Sequence, residues 1–177
     1  MPMLSRAINN AASIENLRLR MDRDELTGCL NQRGVFETMD RECIRAEEQN
    51  RELSVLLCEI EGFEGITGTA EGETFLTAFT EIAQSTIRGF DMIGRIADCE
   101  FVFILPEMGI TEANEVVARV IDGARQLTID DKPAIVSMGS VGFHGGTADA
   151  LLQQADEALL DYKRIQAVSP QTAVGEN

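Results

Sequence analysis

Acidic side chains and one thiol lie beside apolar runs that have the character of buried strands. Glu59 follows the nearly continuous apolar run of residues 53–60, with Glu61 two positions further on. Cys99 and Glu100 lie between two other apolar runs. Alternate residues of a strand share a face, so the carboxylates of Glu59 and Glu61 are expected side by side. Such groups either do chemistry or bind a ligand, unless they are simply solvated at the ends of strands.

A second set of charged residues flanks the middle of the chain. Arg88 and Asp91 directly precede an apolar run, and Arg119 lies in a later segment with helical periodicity. Guanidinium groups bind phosphate or a guanine edge in a bidentate manner and stack on base planes, and carboxylates accept hydrogen bonds from guanine. Two converging arginines would capture a compact dianion. The alternative is a surface Arg88–Asp91 ion pair worth only about 0–1 kcal/mol.

Composition limits the classes of protein and partner. The chain has 177 residues, 44% of them hydrophobic and 25% charged, which fits one globular domain with a short appendage. A net charge of -15 argues against a nucleic-acid polymer or an anionic membrane as the main partner. No apolar run approaches the roughly 18 residues of a membrane span. The four cysteines show no CxxC spacing, so a reduced, cytoplasmic setting without a structural metal cluster is expected.

Hydrophobic periodicity predicts alternating helices and strands. A polar tip at residues 97–100 joins the two middle strands into a β-hairpin. The pattern predicts an α/β (α+β) domain in which helices flank a central mixed sheet. Asn31 and Thr111 are the predicted N-caps of the second and fourth helices. The predicted helices are residues 4–23, a helix beginning near Asn31, residues 73–87, residues 111–127, and a last helix beginning at Thr147 or Asp149; the predicted strands are residues 53–60, 92–96, 101–105 and 134–143.

The chain divides into three predicted parts. Residues 1–23 form an N-terminal helix with a narrow apolar stripe, which suits a two-helix seam and therefore a signalling or dimerisation helix. A frayed terminal helix is the alternative. Residues 24–166 form the folded domain, and a Gly/Thr-rich loop is expected at residues 62–72. Residues 167–177 are polar and are predicted to be a flexible tail.

Four partial motifs in order resemble the GGDEF family, the diguanylate cyclases that join two GTP molecules into cyclic di-GMP. Residues 24–33 resemble the family's DxLTGLxNRR motif, and residues 57–63 fall where the family has its LxDxDxF strand. Residues 136–139 resemble its VSIG strand, and residues 155–159 its closing ADxAL helix. The resemblance implies a nucleotidyl-cyclase-like fold. The signature itself departs from the family, because residues 97–101 read Ala-Asp-Cys-Glu-Phe in place of Gly-Gly-Asp-Glu-Phe.

The resemblance implies a degenerate active site. The family's Mg²⁺ ligands would fall on the Glu59 side chain, the Ile60 carbonyl and Cys99. A thiol with a pKa near 8.5 is mostly neutral at pH 7 and is a soft ligand, whereas Mg²⁺ prefers hard oxygen ligands. We therefore expect Glu59, Cys99 and Glu100 to be degenerate catalytic positions. No cofactor is expected, and Mg²⁺ would be needed only for a residual cyclase activity.

The resemblance also implies a ligand site outside the active site. The family's inhibitory product site is an RxxD sequence five residues before the signature, assisted by an arginine on the next helix. Arg88, Asp91 and Arg119 match those positions. The leading hypothesis is a catalytically inactive receptor for cyclic di-GMP that signals to a partner protein, with homodimerisation through the N-terminal helix. The alternatives are an interaction or dimerisation scaffold that binds no ligand, and a weak diguanylate cyclase.

Overall fold

The computed structural model describes residues 21–168. Most of the predicted N-terminal helix and its role in dimerisation lie outside the described residues. Within them, Arg23 forms an isolated β-bridge with Leu30, so the predicted helix does not extend to Arg23. The last helix continues to Val168, so the first residues of the predicted tail are helical.

Four long helices and one four-stranded sheet form most of the described part. Between β1 and α2 lies a short 3-10 turn, Phe63–Gly65. No helix within residues 21–168 has the length and apolar character needed to cross a membrane. The helices are α1 (Gln32–Gln49), α2 (Ala70–Ser85), α3 (Ile110–Ala124) and α4 (Ala148–Val168); the strands are β1 (Leu53–Glu61), β2 (Met92–Arg95), β3 (Glu100–Pro106), β4 (Thr128–Ile129), β5 (Lys132–Pro133) and β6 (Ile135–Gly142).

Helix caps account for the element boundaries. Asn31 caps α1 as expected, since its side chain accepts a hydrogen bond of 3.0 Å from the Gly34 N–H. Helix α2 begins earlier than predicted, because the Thr69 hydroxyl accepts from the Gly72 N–H and ends the loop at that point. Helix α3 begins after Gly109 without a side-chain cap, so the predicted cap at Thr111 is wrong.

The sheet has the strand order β2-β3-β1-β6, and all three ladders are antiparallel. Strands β2 and β3 form the predicted hairpin. The parallel part of the expected mixed sheet is reduced, within residues 21–168, to one isolated bridge between Leu30 and Gly94. The predicted α+β class is confirmed. Strand β1 lies in the interior of the sheet, which explains why its sequence is apolar almost throughout.

Helices cover both faces of the sheet. Alternate residues of β1 and β3 point to opposite faces, and each face has its own apolar cluster. One cluster joins the sheet to α2 and α3 and contains Phe79, Phe101 and Val116. The other joins it to α1 and α4 and contains Val35 and Leu159. Glu59 of β1 pairs with Glu100 of β3, so the carboxyl end of β1 and the hairpin tip lie at the same edge of this three-layer core.

Replacing Gly139 by alanine is expected to destabilise the domain by about 3 kcal/mol or more, because overpacking against immobile atoms is costly. A Cβ at Gly139 would collide with the backbone of Leu159 and Ala155, so α4 would have to move off β6. Denaturant unfolding measures the change. Gly65→Ala is the matched control, since nothing lies within 4 Å of a Cβ there. Equal stabilities for the two variants would contradict this packing.

Candidate functional site

Lys163 neutralises the carboxylate at the end of β1. The Lys163 Nζ lies 2.5 Å from the Glu59 Oε2, and both side chains are 28% exposed. Strand pairing places Glu59 directly opposite Glu100, an arrangement of like charges that is unfavourable by itself. Burial, together with the carboxylates of Glu59 and Asp156, raises the pKa of Glu100, and Lys163 opposes that shift. The ammonium group of Lys163 is thus the counterion of the acidic edge of β1, which is formed by Glu59, Glu100 and Asp156.

The thiol of Cys99 belongs to the opposite side of the sheet. Cys99 packs against the apolar cluster shared with α2 and α3, whereas Glu59 faces Lys163 of α4. Burial raises the pKa of Cys99, and the carboxylates of Glu59 and Glu100 act in the same direction, so the thiol is protonated at pH 7. The Cys99 carbonyl accepts a hydrogen bond of 3.1 Å from the Ile60 N–H, which joins the hairpin tip to β1.

This donor set does not fit Mg²⁺. Glu59 is paired with Lys163, and Glu61 accepts a hydrogen bond of 2.5 Å from the Ser137 hydroxyl. Cys99 is a neutral thiol, and Glu100 is a half-buried carboxylate whose pKa is raised by burial and by Glu59. Among residues 21–168, no group of three or more His, Cys, Asp or Glu side chains is arranged to hold a metal ion. Mg²⁺ requires several hard oxygen ligands in octahedral geometry, and these residues do not supply them.

Arg95 fixes the hairpin tip next to this edge. Its Nη2 and Nε donate to the Asp98 carbonyl at 2.9 and 3.3 Å, and its Nη1 lies 3.4 Å from the Asp24 carboxylate. The Arg95 side chain is only 15% exposed. The tip backbone is therefore held by a side chain of the hairpin itself, with Ala97 and Asp98 exposed to solvent.

Arg88 and Asp91 form a fixed pair at the turn before β2. The Arg88 Nε lies 3.2 Å from Asp91 Oδ2, and its Nη2 donates to Asp91 Oδ1 at 3.3 Å and to the Pro106 carbonyl at 3.1 Å. The Asp91 side chain is fully buried, and its Oδ2 also accepts a hydrogen bond of 2.8 Å from the Arg88 backbone N–H. This pair is more than a mobile surface ion pair, because a buried carboxylate and a carbonyl orient the guanidinium.

Arg119 extends from α3 toward the same place. Its Nη2 donates to the Thr86 carbonyl at 3.1 Å, and its Nη1 lies 4.0 Å from Glu115 Oε2. Arg88, Asp91 and Arg119 line one open cleft of about 190 Å³, together with Glu112 and Glu115. The fold therefore brings together Arg88, Asp91 and Arg119, at the opposite end of the β2–β3 hairpin from Cys99.

Two residues at these sites were missed by the sequence analysis. Lys163 follows Asp156 by seven positions on α4, and that helical spacing was the available sign that both face the acidic edge of β1. Phe90 lies inside the Arg88–Asp91 turn, and its ring centroid is 4.7 Å from the Arg88 guanidinium carbon. The sequence shows an aromatic residue between Arg88 and Asp91, but it does not show that the ring is exposed to solvent.

The fold of the described residues is that of the nucleotidyl-cyclase-like domains. A family model described as diguanylate cyclase, GGDEF domain, matches residues 21–167, and the chain belongs to this family. The probable diguanylate cyclase DgcC of Escherichia coli is 32% identical over 130 residues, which are 71% of this chain and 35% of DgcC. The chain spans about a third of the length of the curated relatives it matches.

Solved structures share the architecture. The diguanylate cyclase SiaD of Pseudomonas aeruginosa, in complex with its activator SiaC, aligns with a TM-score of 0.76 at 27% identity, covering 92% of this chain and 66% of SiaD. The GGDEF domain of DgcB from Caulobacter crescentus, in complex with cyclic di-GMP, aligns with a TM-score of 0.75 at 20% identity, covering 81% of this chain and 88% of that domain. The nucleotidyl-cyclase-like fold inferred from the motifs is confirmed.

Proposed function

We propose that this chain is a GGDEF domain without cyclase activity that binds cyclic di-GMP through Arg88, Asp91 and Arg119 and transmits the bound state to a partner protein. The observation that carries the proposal is the orientation of the Arg88 guanidinium by the buried Asp91 carboxylate, in the same cleft as Arg119. An arginine held in one orientation loses less conformational entropy when it binds a ligand.

The hydrogen bonds of Arg88 favour a bound anion. Its Nε and Nη2 donate to Asp91 and Pro106, which accounts for three of the five guanidinium N–H groups. The two N–H groups of Nη1 are left for a phosphate oxygen or a guanine edge. Arg119 supplies the second cation, and its 4.0 Å approach to Glu115 is long enough for a phosphate to compete with that carboxylate. Glu112 and Glu115 make the cleft poor for anions that do not contact both arginines.

The acidic edge of β1 supports the absence of turnover. Phosphoryl transfer between two nucleotides depends on positioning and on metal ions that neutralise charge at the reacting phosphates. Glu59 is paired with Lys163, and Cys99 packs into the apolar cluster on the other face. A domain with these side chains keeps the cyclase fold while lacking the metal ligands of the reaction.

The relatives support both the ligand and the partner. The DgcB domain was crystallised with cyclic di-GMP, and SiaD was crystallised with a protein activator. A signalling role for this chain likewise requires a partner that distinguishes the ligand-bound state. Homodimerisation through the N-terminal segment is part of the proposal and concerns residues outside those described.

Calorimetric titration tests the proposal. Cyclic di-GMP added to the purified chain should release heat and saturate at concentrations of tens of micromolar or below, the range accessible to calorimetry. Cyclic di-AMP is the matched ligand control, because adenine presents an amino donor where guanine presents the O6 acceptor that an arginine fork binds. No heat with cyclic di-GMP in that range would leave the scaffold function as the better account.

A further inference from the structure

Phe90 presents an aromatic face to solvent next to the proposed ligand site. It is 57% exposed, although it lies in the turn between Arg88 and Asp91, which form an ion pair with each other. One side of its ring contacts the Arg88 guanidinium, whose carbon lies 4.7 Å from the ring centroid. Arg88 is held by Asp91 and Pro106, so the stacked pair is a fixed platform.

A second cleft of about 330 Å³ opens at this platform. It is lined by Phe90, Arg88, Arg23 and Gln84, among others. Arg88 and Asp91 also line the cleft that contains Arg119, so the two clefts meet at the Arg88–Asp91 pair. A ligand bound at Arg88 can therefore extend into either cleft.

The charges of the second cleft are favourable for an anionic ligand. Arg23 is exposed at its edge, and its Nη1 donates to the Gly28 carbonyl at 3.2 Å. Arg23 and Arg88 are its cations, and Asp91, already bonded to Arg88, is the carboxylate among its lining residues. The cleft thus combines positive charge with an exposed ring, in a chain whose net charge is -15.

We propose that Phe90 is a stacking surface for one guanine base of cyclic di-GMP, with Arg23 on the outer side of that base. This inference rests on the proposed function, because Arg88 and Arg119 hold the phosphates. Bases stack on aromatic side chains and on guanidinium planes, and each such contact contributes substantially to binding of single-stranded nucleotides. Phe90 offers the guanine an aromatic surface, and Arg88 holds that ring from the other face.

A single-tryptophan variant tests the stacking directly. The chain contains no tryptophan, so Phe90→Trp places its single tryptophan at the platform, and excitation at the red edge of indole absorption avoids the one tyrosine. Cyclic di-GMP should quench its emission with the dissociation constant that calorimetry measures on the same variant. Ile44→Trp is the matched control, because Ile44 is also 57% exposed but lies on α1, away from both clefts. Its emission should not change.

Two further substitutions separate stacking from apolar contact. Phe90→Ala should weaken cyclic di-GMP binding about tenfold or more, and Phe90→Leu should weaken it nearly as much, because leucine lacks a π-face. Phe90 is exposed, so neither variant should lose its fold. If the wild type binds while both variants bind equally well and Phe90→Trp is not quenched, the stacking inference is overturned and the receptor proposal stands. If the wild type does not bind, the receptor proposal fails first.

Discussion

Replacing Arg88 by alanine is expected to weaken cyclic di-GMP binding at least about 100-fold, because two hydrogen bonds to a charged ligand contribute roughly 1.5–3 kcal/mol each. The substitution removes the Nη1 donors and also the ion pair with the buried Asp91 carboxylate. Calorimetry on the wild type and the variant measures the loss. Arg88→Lys should bind nearly as poorly, because lysine keeps the charge but loses the bidentate fork.

Arg164→Ala is the control for this substitution. Arg164 is 76% exposed and pairs with Asp161 on α4, so its removal should leave binding unchanged. Since Arg88→Ala leaves the buried Asp91 carboxylate with fewer partners, its melting temperature must be measured as well. Arg119→Ala provides an independent test, because Arg119 is 51% exposed and is not needed to hold the core. If both Arg88→Ala and Arg119→Ala bind like the wild type, the receptor site is elsewhere or absent.

The purified chain is expected to make cyclic di-GMP from GTP, with Mg²⁺ or Mn²⁺, at least about a thousandfold more slowly than an active cyclase. The loss of metal charge at the reacting phosphates removes several kcal/mol of transition-state stabilisation, and each 1.36 kcal/mol is tenfold in rate. The physical reason lies at Glu59, which is paired with Lys163, and at Cys99, which is a neutral thiol. Product chromatography after long incubation gives the measurement.

Mg²⁺ alone provides a second readout of the same claim. A ligand that binds the folded state raises the melting temperature, so added Mg²⁺ should leave that of the wild type unchanged. Glu59→Ala is the matched variant for both experiments. Turnover in the wild type that disappears in Glu59→Ala would overturn the conclusion, because it would show that this carboxylate still serves the reaction.

Much of the fold was predictable because it depends on local patterns. Apolar periodicity identified four helices and the four strands of the sheet, and Asn31 was recognisable as a cap. The errors occurred where a local signal was ambiguous. Thr111 has the side chain of a good cap, yet α3 begins after Gly109; Thr69 caps α2 inside a segment whose glycines and threonines are typical of a loop.

The residues at the carboxyl end of β1 and at the hairpin tip show where local patterns are insufficient. The family resemblance placed Cys99 at a metal-ligand position, and the chemistry of a thiol identified it there as a poor ligand for Mg²⁺. The sequence did not reveal that Lys163 pairs with Glu59, or that Cys99 packs on the other face of the sheet. Both facts depend on how α4 and the hairpin pack on β1, and no motif spacing reports such contacts between distant segments.

The amino-acid sequence by itself determined the family, the hairpin and the three-residue spacing that lets Arg88 reach Asp91. Tertiary structure alone decided which groups join that pair. Pro106, whose carbonyl binds Arg88, is 18 residues from Arg88 in the sequence. Thr86, whose carbonyl binds Arg119, is 33 residues from Arg119. The physical reason is range: a turn orients neighbours through backbone geometry, whereas the meeting of Arg119 and Arg88 requires α3 to be packed on the sheet.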